Sequence, residues 1–375
     1  MGQERFADIV ERFTNGYTDG VSASAESVRQ WQEELDRTLR RFQNLGEMVS
    51  NPVEPRTGVT SREEVYRRNK SRLYRYQSSR THRTPVLFVP NLGISRPYIF
   101  DLLPGGSFIE HMTREGFDFY LLDWGVFGPE DNGLTLEECV VKILPRMARK
   151  VLETSGTDGL SVLGYCMGAP LSASFVASHP EIPVQNFINM AGPIDFSRVG
   201  LFGLWLDKKY FNVDRFVDTL GAIPADMVKA GFKLLKPTMD LSTNINLWWN
   251  LWNDKYVEGF TALNKWANEY VAFPGEFFRQ WVRDFYQDNK LYRGELRVGG
   301  RSVRLRSIAC PTFVVGAKED YIAPPDCVRA LIDAVASRDK EYVELPGGHI
   351  SLIAGRGASV HCWPKVSGWL GPRSS

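Results

Sequence analysis

From Pro85 onward, apolar residues come in short unbroken runs separated by amphipathic stretches. Pro85-Val86-Leu87-Phe88-Val89-Pro90, Phe117 to Trp124, Gly159-Leu160-Ser161-Val162-Leu163-Gly164 and Asn186-Phe187-Ile188-Asn189-Met190-Ala191-Gly192 read as buried strands. Helices are predicted around Leu136 to Glu153 and from the third of these strands through Ala177. After a long break, Thr312-Phe313-Val314-Val315-Gly316 and Tyr342-Val343-Glu344-Leu345 repeat the pattern with a helix between them. Alternating units of this kind predict an α/β protein with a doubly wound, mostly parallel sheet and a ligand site at the carboxyl ends of the strands.

The first 60 residues differ. They are polar and read as helical, with Phe6, Val10, Phe13 and then Trp31, Leu35, Leu39, Phe42 at spacings of three and four. Such a stripe needs a cover, which is either the chain's own domain or a partner subunit, and periodicity does not separate the two. Asn51-Pro52-Val53-Glu54-Pro55-Arg56-Thr57-Gly58 is a linker or turn. Ser61-Arg62-Glu63-Glu64 has the capping-box pattern of a helix start, and Arg72-Leu73-Tyr74-Arg75-Tyr76 alternates like an edge strand.

The break in the strand pattern, Pro193 to Gly300, carries six of the ten tryptophans: Trp205, Trp248, Trp249, Trp252, Trp266 and Trp281. It is expected to be a helical cap inserted between sheet strands. Most of these rings fill core, but a lid of rigid aromatics also suits a dry acyl site. The expected organisation is a helical region over 1–60, a core of 61–192 with 301–375, and a cap over 193–300.

Composition narrows the function classes. At 375 residues and 43% hydrophobic content there is ample material for a core. With 45 Lys plus Arg against 44 Asp plus Glu, no field of one sign draws the chain to nucleic acid or to an anionic membrane. Cys139, Cys166, Cys310, Cys327 and Cys362 are odd in number and lack CxxC spacing, so neither a disulfide framework nor a metal site is expected, and a reducing cytoplasm is the default. Met1-Gly2 begins like a myristoylation signal but has Phe6 where Ser or Thr is needed; neither an export signal nor a transmembrane run of apolar residues is expected.

The chemistry centres on Gly164-Tyr165-Cys166-Met167-Gly168. It falls between a predicted buried strand and a predicted helix, the setting of a nucleophile elbow in an α/β-hydrolase fold. Gly164 and Gly168 are needed because side chains there would collide with the adjoining strand and helix, and Ala169 keeps the helix start small. At a helix N-terminus, Cys166 is placed to favour thiolate over thiol. Chain order in this fold runs nucleophile, acid, histidine. Of five histidines, His349, in Pro346-Gly347-Gly348-His349-Ile350, directly follows the last predicted strand in a tight glycine loop; His82, His111 and His361 lack such placement, and His179 looks like an exposed helix terminus. Asp320, in Gly316-Ala317-Lys318-Glu319-Asp320-Tyr321, is the expected orienter of His349, with Glu319 and Asp326 as rivals. The backbone N–H of Met167, with one from the loop holding Leu92, is the expected oxyanion hole.

These segments resemble the polyhydroxyalkanoate synthases, particularly the short catalytic subunits of the two-subunit, class III enzymes. The resemblance runs through nearly the whole chain beyond residue 60. It rests on Leu73-Tyr74-Arg75-Tyr76, Arg96-Pro97-Tyr98-Ile99-Phe100-Asp101, Tyr120-Leu121-Leu122-Asp123-Trp124-Gly125, the Cys166 elbow, Phe278-Arg279-Gln280, Asp284-Phe285-Tyr286-Gln287 and Pro346-Gly347-Gly348-His349. It implies Cys166, Asp320 and His349 as a triad, an (R)-3-hydroxyacyl-CoA substrate, a polyester product with release of CoA, and no cofactor beyond the CoA thioester substrate. It further implies a helical second subunit, class III-like or class IV-like, in a dimer or hetero-oligomer, and a cytoplasmic location at the surface of polyester granules. The chain departs from the family at Ala169, where a further Gly is usual, and over Trp266 to Phe277. Two other readings suit the same residues: a thioesterase or lactone hydrolase of the same fold, and an inactive, granule-associated scaffold subunit.

Overall fold

The computed structural model describes residues 3–50, 54–237, 239–355 and 357–375, with side chains from residue 25 onward except those of 239–241. Phe6, Val10 and Phe13, the Met1-Gly2 start and Asn51-Pro52-Val53 therefore lie outside the described side chains or residues.

Strands β1 (Arg62–Arg68), β2 (Ser71–Tyr76), β3 (Val86–Val89), β4 (Phe119–Asp123), β5 (Leu160–Tyr165), β6 (Val184–Met190), β7 (Thr312–Ala317) and β8 (Lys340–Leu345) form one eight-stranded sheet in the order β1-β2-β4-β3-β5-β6-β7-β8. The pairs β1·β2 and β2·β4 are antiparallel and the rest are parallel. β3, β5 and β7 are buried at every position, which is why their sequences are unbroken apolar runs rather than alternations.

The edge is not where the sequence places it. The capping-box segment becomes β1, with Arg62 opposite Tyr76 and Arg68 opposite Ser71, and β2 lies inside it. Pairing with β2 gives this segment a ladder of backbone hydrogen bonds, which outweighs what a helix cap offers its first turn, and the charged sequence of β1 suits a solvent-facing edge.

Outside the sheet run α1 (Gln3–Ser50), α2 (Phe108–Arg114), α3 (Leu144–Ser155), α4 (Gly168–Ser178), α5 (Leu201–Trp205), α6 (Val213–Leu220), α7 (Ala225–Leu235), α8 (Met239–Asn250), α9 (Asp254–Asn268), α10 (Gly275–Gln280), α11 (Lys290–Arg293), α12 (Pro325–Ala334) and α13 (Trp363–Leu370). One core, with Met147, Leu171, Phe175, Val328 and Leu331, joins α3, α4 and α12 to one sheet face. A second, with Phe108, Met112, Trp363 and Trp369, joins α2 and α13 to the other.

Contacts divide the chain into two units, residues 1–55 with 238–261, and residues 56–237 with 262–375. In the first, α1 meets the 238–261 segment through polar groups: Asn44 Nδ2 donates to the Leu251 carbonyl at 2.7 Å and Arg37 lies over Trp252 at 5.0 Å. Much of the apolar row of α1 stays exposed, Trp31 by 72% and Phe42 by 59%, although the Phe42 ring meets Trp248 edge-on at 5.9 Å. Trp248 and Trp249 of α8 are exposed as well, so these tryptophans are not core. Among the described residues, no helix is long and apolar enough to cross a membrane, and no cluster of ligating side chains could hold a metal ion.

Candidate active site

β5 ends at Tyr165, and α4 begins at Gly168, so Cys166 sits on the turn between them. Its φ of +54° is a left-handed conformation that costs a residue with a Cβ, the strain expected of a nucleophile elbow. The turn is held by the Cys166 N–H donating to the Met190 carbonyl at 3.0 Å and by the Ala169 N–H donating to the Cys166 carbonyl at 3.0 Å. Two glycines permit this geometry. A Cβ on Gly164 would lie 2.4 Å from Ala169 Cα, and one on Gly168 would lie 2.0 Å from the Val89 carbonyl oxygen. Ala169 is accommodated by a third, Gly192, where a Cβ would lie 2.1 Å from the Ala169 methyl. Gly192 is itself pinned by Asn189, whose side chain accepts from the Gly192 N–H at 2.8 Å and donates to its carbonyl at 3.1 Å.

His349 opens the short helical turn His349–Leu352 after β8, and Asp320 lies just past β7. Both side chains are buried, and the His349 Nδ1–H donates to Asp320 Oδ2 at 2.7 Å. The other carboxylate oxygen accepts from the Ile322 and Ala323 N–H groups, each at 2.8 Å, so Asp320 is fixed in place. The rivals are engaged elsewhere. The Glu319 carboxylate accepts from the Gly347 N–H, which laces the two loops together, and Asp326 is exposed on the first turn of α12.

Burial opposes a charged His349, yet the neighbouring Asp320 carboxylate, and Cys166 after it, outweigh burial and raise the imidazole well above its ordinary value. The free ring nitrogen, Nε2, is sealed from solvent without a well-formed hydrogen bond, and the group with which it interacts is Cys166. The structure thus brings Cys166, His349 and Asp320 into one chain of contacts. Sequence reasoning passes over Tyr165, whose hydroxyl donates to the His349 carbonyl at 3.2 Å and whose ring lies 5.1 Å from the imidazole. Burial raises its phenol well above the ordinary value, so it remains a donor. His179 is far from an exposed terminus: it is buried at the end of α4, with Nδ1 3.1 Å from the Phe175 carbonyl.

Met167 lies at the start of α4, and Leu92 is buried in the loop after β3. Among the described residues, neither N–H donates to a protein carbonyl. Asn91 shapes that loop by donating to the Gly93 carbonyl at 2.8 Å. Above Cys166 is an apolar cavity of about 240 Å³ lined by, among others, Ile94, Trp205, Phe232, Trp281 and Tyr286. Tyr286 is half-buried there, and desolvation of its phenol raises it and keeps it neutral, an effect that Cys166 and Cys327 reinforce.

The profile of the α/β hydrolase fold family matches residues 84–355. Among curated proteins, the chain is 34% identical to the poly(3-hydroxyalkanoate) polymerase subunit PhaC of Haloferax mediterranei, over 92% of this chain and 70% of that one. It is 32% identical to the protein of the same name from Thiocystis violacea, over 92% and 97% respectively, and 32% identical to that of Allochromatium vinosum, over 91% and 97%. Among solved structures, a putative lipase from Sulfolobus solfataricus aligns with a TM-score of 0.55 at 13% identity, covering 83% of this chain and 93% of that one, a likeness of fold alone.

Proposed function

The chain belongs to the poly(3-hydroxyalkanoate) polymerase family, built on the α/β-hydrolase fold, and from that premise we propose how its residues make polyester. It is an acyltransferase of polyhydroxyalkanoate synthesis. Cys166 is the nucleophile, His349 the base and Asp320 the group that orients the base. The observation that carries this reading is a strained, half-buried thiol facing a buried histidine whose other nitrogen is bonded to a buried carboxylate.

His349 Nε2 takes the Cys166 proton, and the thiolate attacks the carbonyl of an (R)-3-hydroxyacyl-CoA. The developing oxyanion is held by the Met167 and Leu92 N–H groups. The carbon to CoA-sulfur bond breaks, and imidazolium protonates the departing CoA thiolate. The 3-hydroxyl of an acyl unit then attacks the acyl-cysteine, giving its proton to His349, which returns it to the Cys166 sulfur as the ester bond forms.

Sulfur is the right nucleophile for this sequence of steps. Exchange of one thioester for another costs little and keeps the acyl group activated, whereas a serine would form an oxygen ester and discard the driving force for the next ester bond. Water competes with the hydroxyl at the acyl-cysteine, and the apolar cavity over Cys166 keeps it out. No cofactor is needed for either step.

A helical second subunit is the proposed partner, supported by the exposed apolar row of α1, and the surface of polyester granules is the proposed location. The test of the synthase chemistry is product analysis. Incubated with 3-hydroxybutyryl-CoA, the protein is expected to release CoA together with insoluble polymer; CoA release with free acid alone would overturn polymerisation in favour of hydrolysis.

A further inference from the structure

α7 presents Val228, Gly231 and Phe232 to the cavity over Cys166. Gly231 is the anomaly among them. A glycine in a helix interior weakens the helix and is ordinarily retained where another backbone approaches closely. Here nothing does: a Cβ built on Gly231 would meet no heavy atom within 4 Å, and its backbone is ordinary helix. Gly231 lines the cavity, and the space that its absent side chain leaves is open. The lining is almost wholly apolar, and about 240 Å³ well exceeds the roughly 150 Å³ with which an apolar cavity accommodates a benzene ring.

We infer that Gly231 sets the length of the acyl side chain that this enzyme accepts, by leaving room over Cys166 for a 3-hydroxyacyl group whose alkyl branch is longer than methyl. The inference rests on the synthase reading, since it takes the cavity to be the acyl site. Methyl and propyl branches differ by two methylenes, each of which an apolar pocket discriminates by roughly tenfold or more. A side chain grown from Gly231 into the cavity displaces the longer branch and spares the shorter.

The experiment compares kcat/KM for 3-hydroxyhexanoyl-CoA and 3-hydroxybutyryl-CoA in the wild type, Gly231→Ala and Gly231→Leu, with CoA release and polymer followed together and helicity checked by circular dichroism. The wild type is expected to use both substrates. The ratio of hexanoyl to butyryl turnover is expected to fall several-fold in Gly231→Ala and about 10- to 100-fold in Gly231→Leu. If Gly231→Leu does not fold, Gly231→Ala, which adds one carbon into open space, still reads the ratio. A wild type inert toward the hexanoyl substrate, or a ratio unmoved in the variants while polymer still forms, overturns the inference and leaves the synthase reading standing. Free acid in place of polymer overturns the synthase reading instead, and a shifted ratio would then assign Gly231 to a hydrolase pocket.

Discussion

The Tyr165 hydroxyl donates to the backbone carbonyl of His349 at 3.2 Å, so the residue just before Cys166 holds the loop that carries His349. Both groups are buried, and the His349 loop starts with Gly347 at φ +95°, a segment with little rigidity of its own. Tyr165→Phe removes this tie and keeps the ring. The expected loss of stability is about 1 kcal/mol, the worth of one buried hydrogen bond. A base that wanders lowers kcat, by roughly 3- to 30-fold, more than it raises KM. Steady-state kinetics beside urea denaturation check this; a loss of stability with kcat unchanged would make Tyr165 merely structural.

Gly168 and Ala169 are adjacent, but their tolerances differ. Gly168→Ala drives a methyl into the backbone at Val89 and Pro90, which cannot give as a flexible side chain can, and is expected to cost about 3 kcal/mol or prevent folding. Ala169→Gly loses only the methyl that rests on Gly192 and some helix propensity, for about 1 kcal/mol. Thermal melts of the two variants separate these outcomes; equal shifts would mean that the close approach at Gly168 is not what its glycine serves.

Asp320 raises His349, so charge at this pair is linked to pH. A base whose folded-state pKa lies above its unfolded value of about 6.5 binds more protons folded than unfolded, so its contribution to stability is fully present below that value. It is lost as pH rises through the raised folded-state value. Asp320→Asn removes the largest of the raising influences while burial still opposes the charge. The variant is expected to lose this fall in stability on the alkaline side of about pH 6.5, and to lose kcat by roughly 10³- to 10⁴-fold through the wrong tautomer and an unsupported imidazolium. Urea midpoints across pH 6 to 9, an interval of about three units spanning the free imidazole's range, check the first; a wild type and variant with parallel profiles would refute it.

Much of the core of this site is readable from local sequence. The Cys166 turn is legible because its demands are local: an apolar strand, two glycines that no side chain can replace, and a helix start. His349 is legible because it directly follows the last strand in a glycine-rich loop, a setting that His361, further along, lacks. Asp320 is the expected orienter from sequence, but removing Glu319 as a rival needs the tertiary structure, where Glu319 is drawn to the Gly347 N–H. Tyr165 escapes for the same reason, since its partner is 184 residues away. Where a local signal misleads, at the capping box of Ser61 to Glu64, hairpin pairing with the next strand, β2, overrides it. The grouping of residues 238–261 with the first 55 is likewise beyond periodicity, because polar groups such as Asn44 make that contact along with a single ring of the apolar row, Phe42 against Trp248.

Cys166→Ser tests whether thioester exchange is the reason for sulfur. The left-handed turn and the His349 partner are unchanged in this variant, so acylation by an acyl-CoA remains open to it, slowed because an alcohol is a poorer nucleophile than a thiolate. Once formed, the oxygen ester lies close in energy to the ester bond it must make, and a 3-hydroxyl attacks it without a favourable gradient. The expected outcome is a slow release of CoA that approaches one equivalent per site, with a stable acyl-enzyme visible by mass spectrometry and no polymer. Had water ready access to the site, the same variant would instead turn over continuously to free acid, as a serine esterase does. Sustained polymer formation by Cys166→Ser at more than about one hundredth of the wild-type rate, less than 3 kcal/mol of added barrier, would show that the retained thioester energy is not what drives elongation.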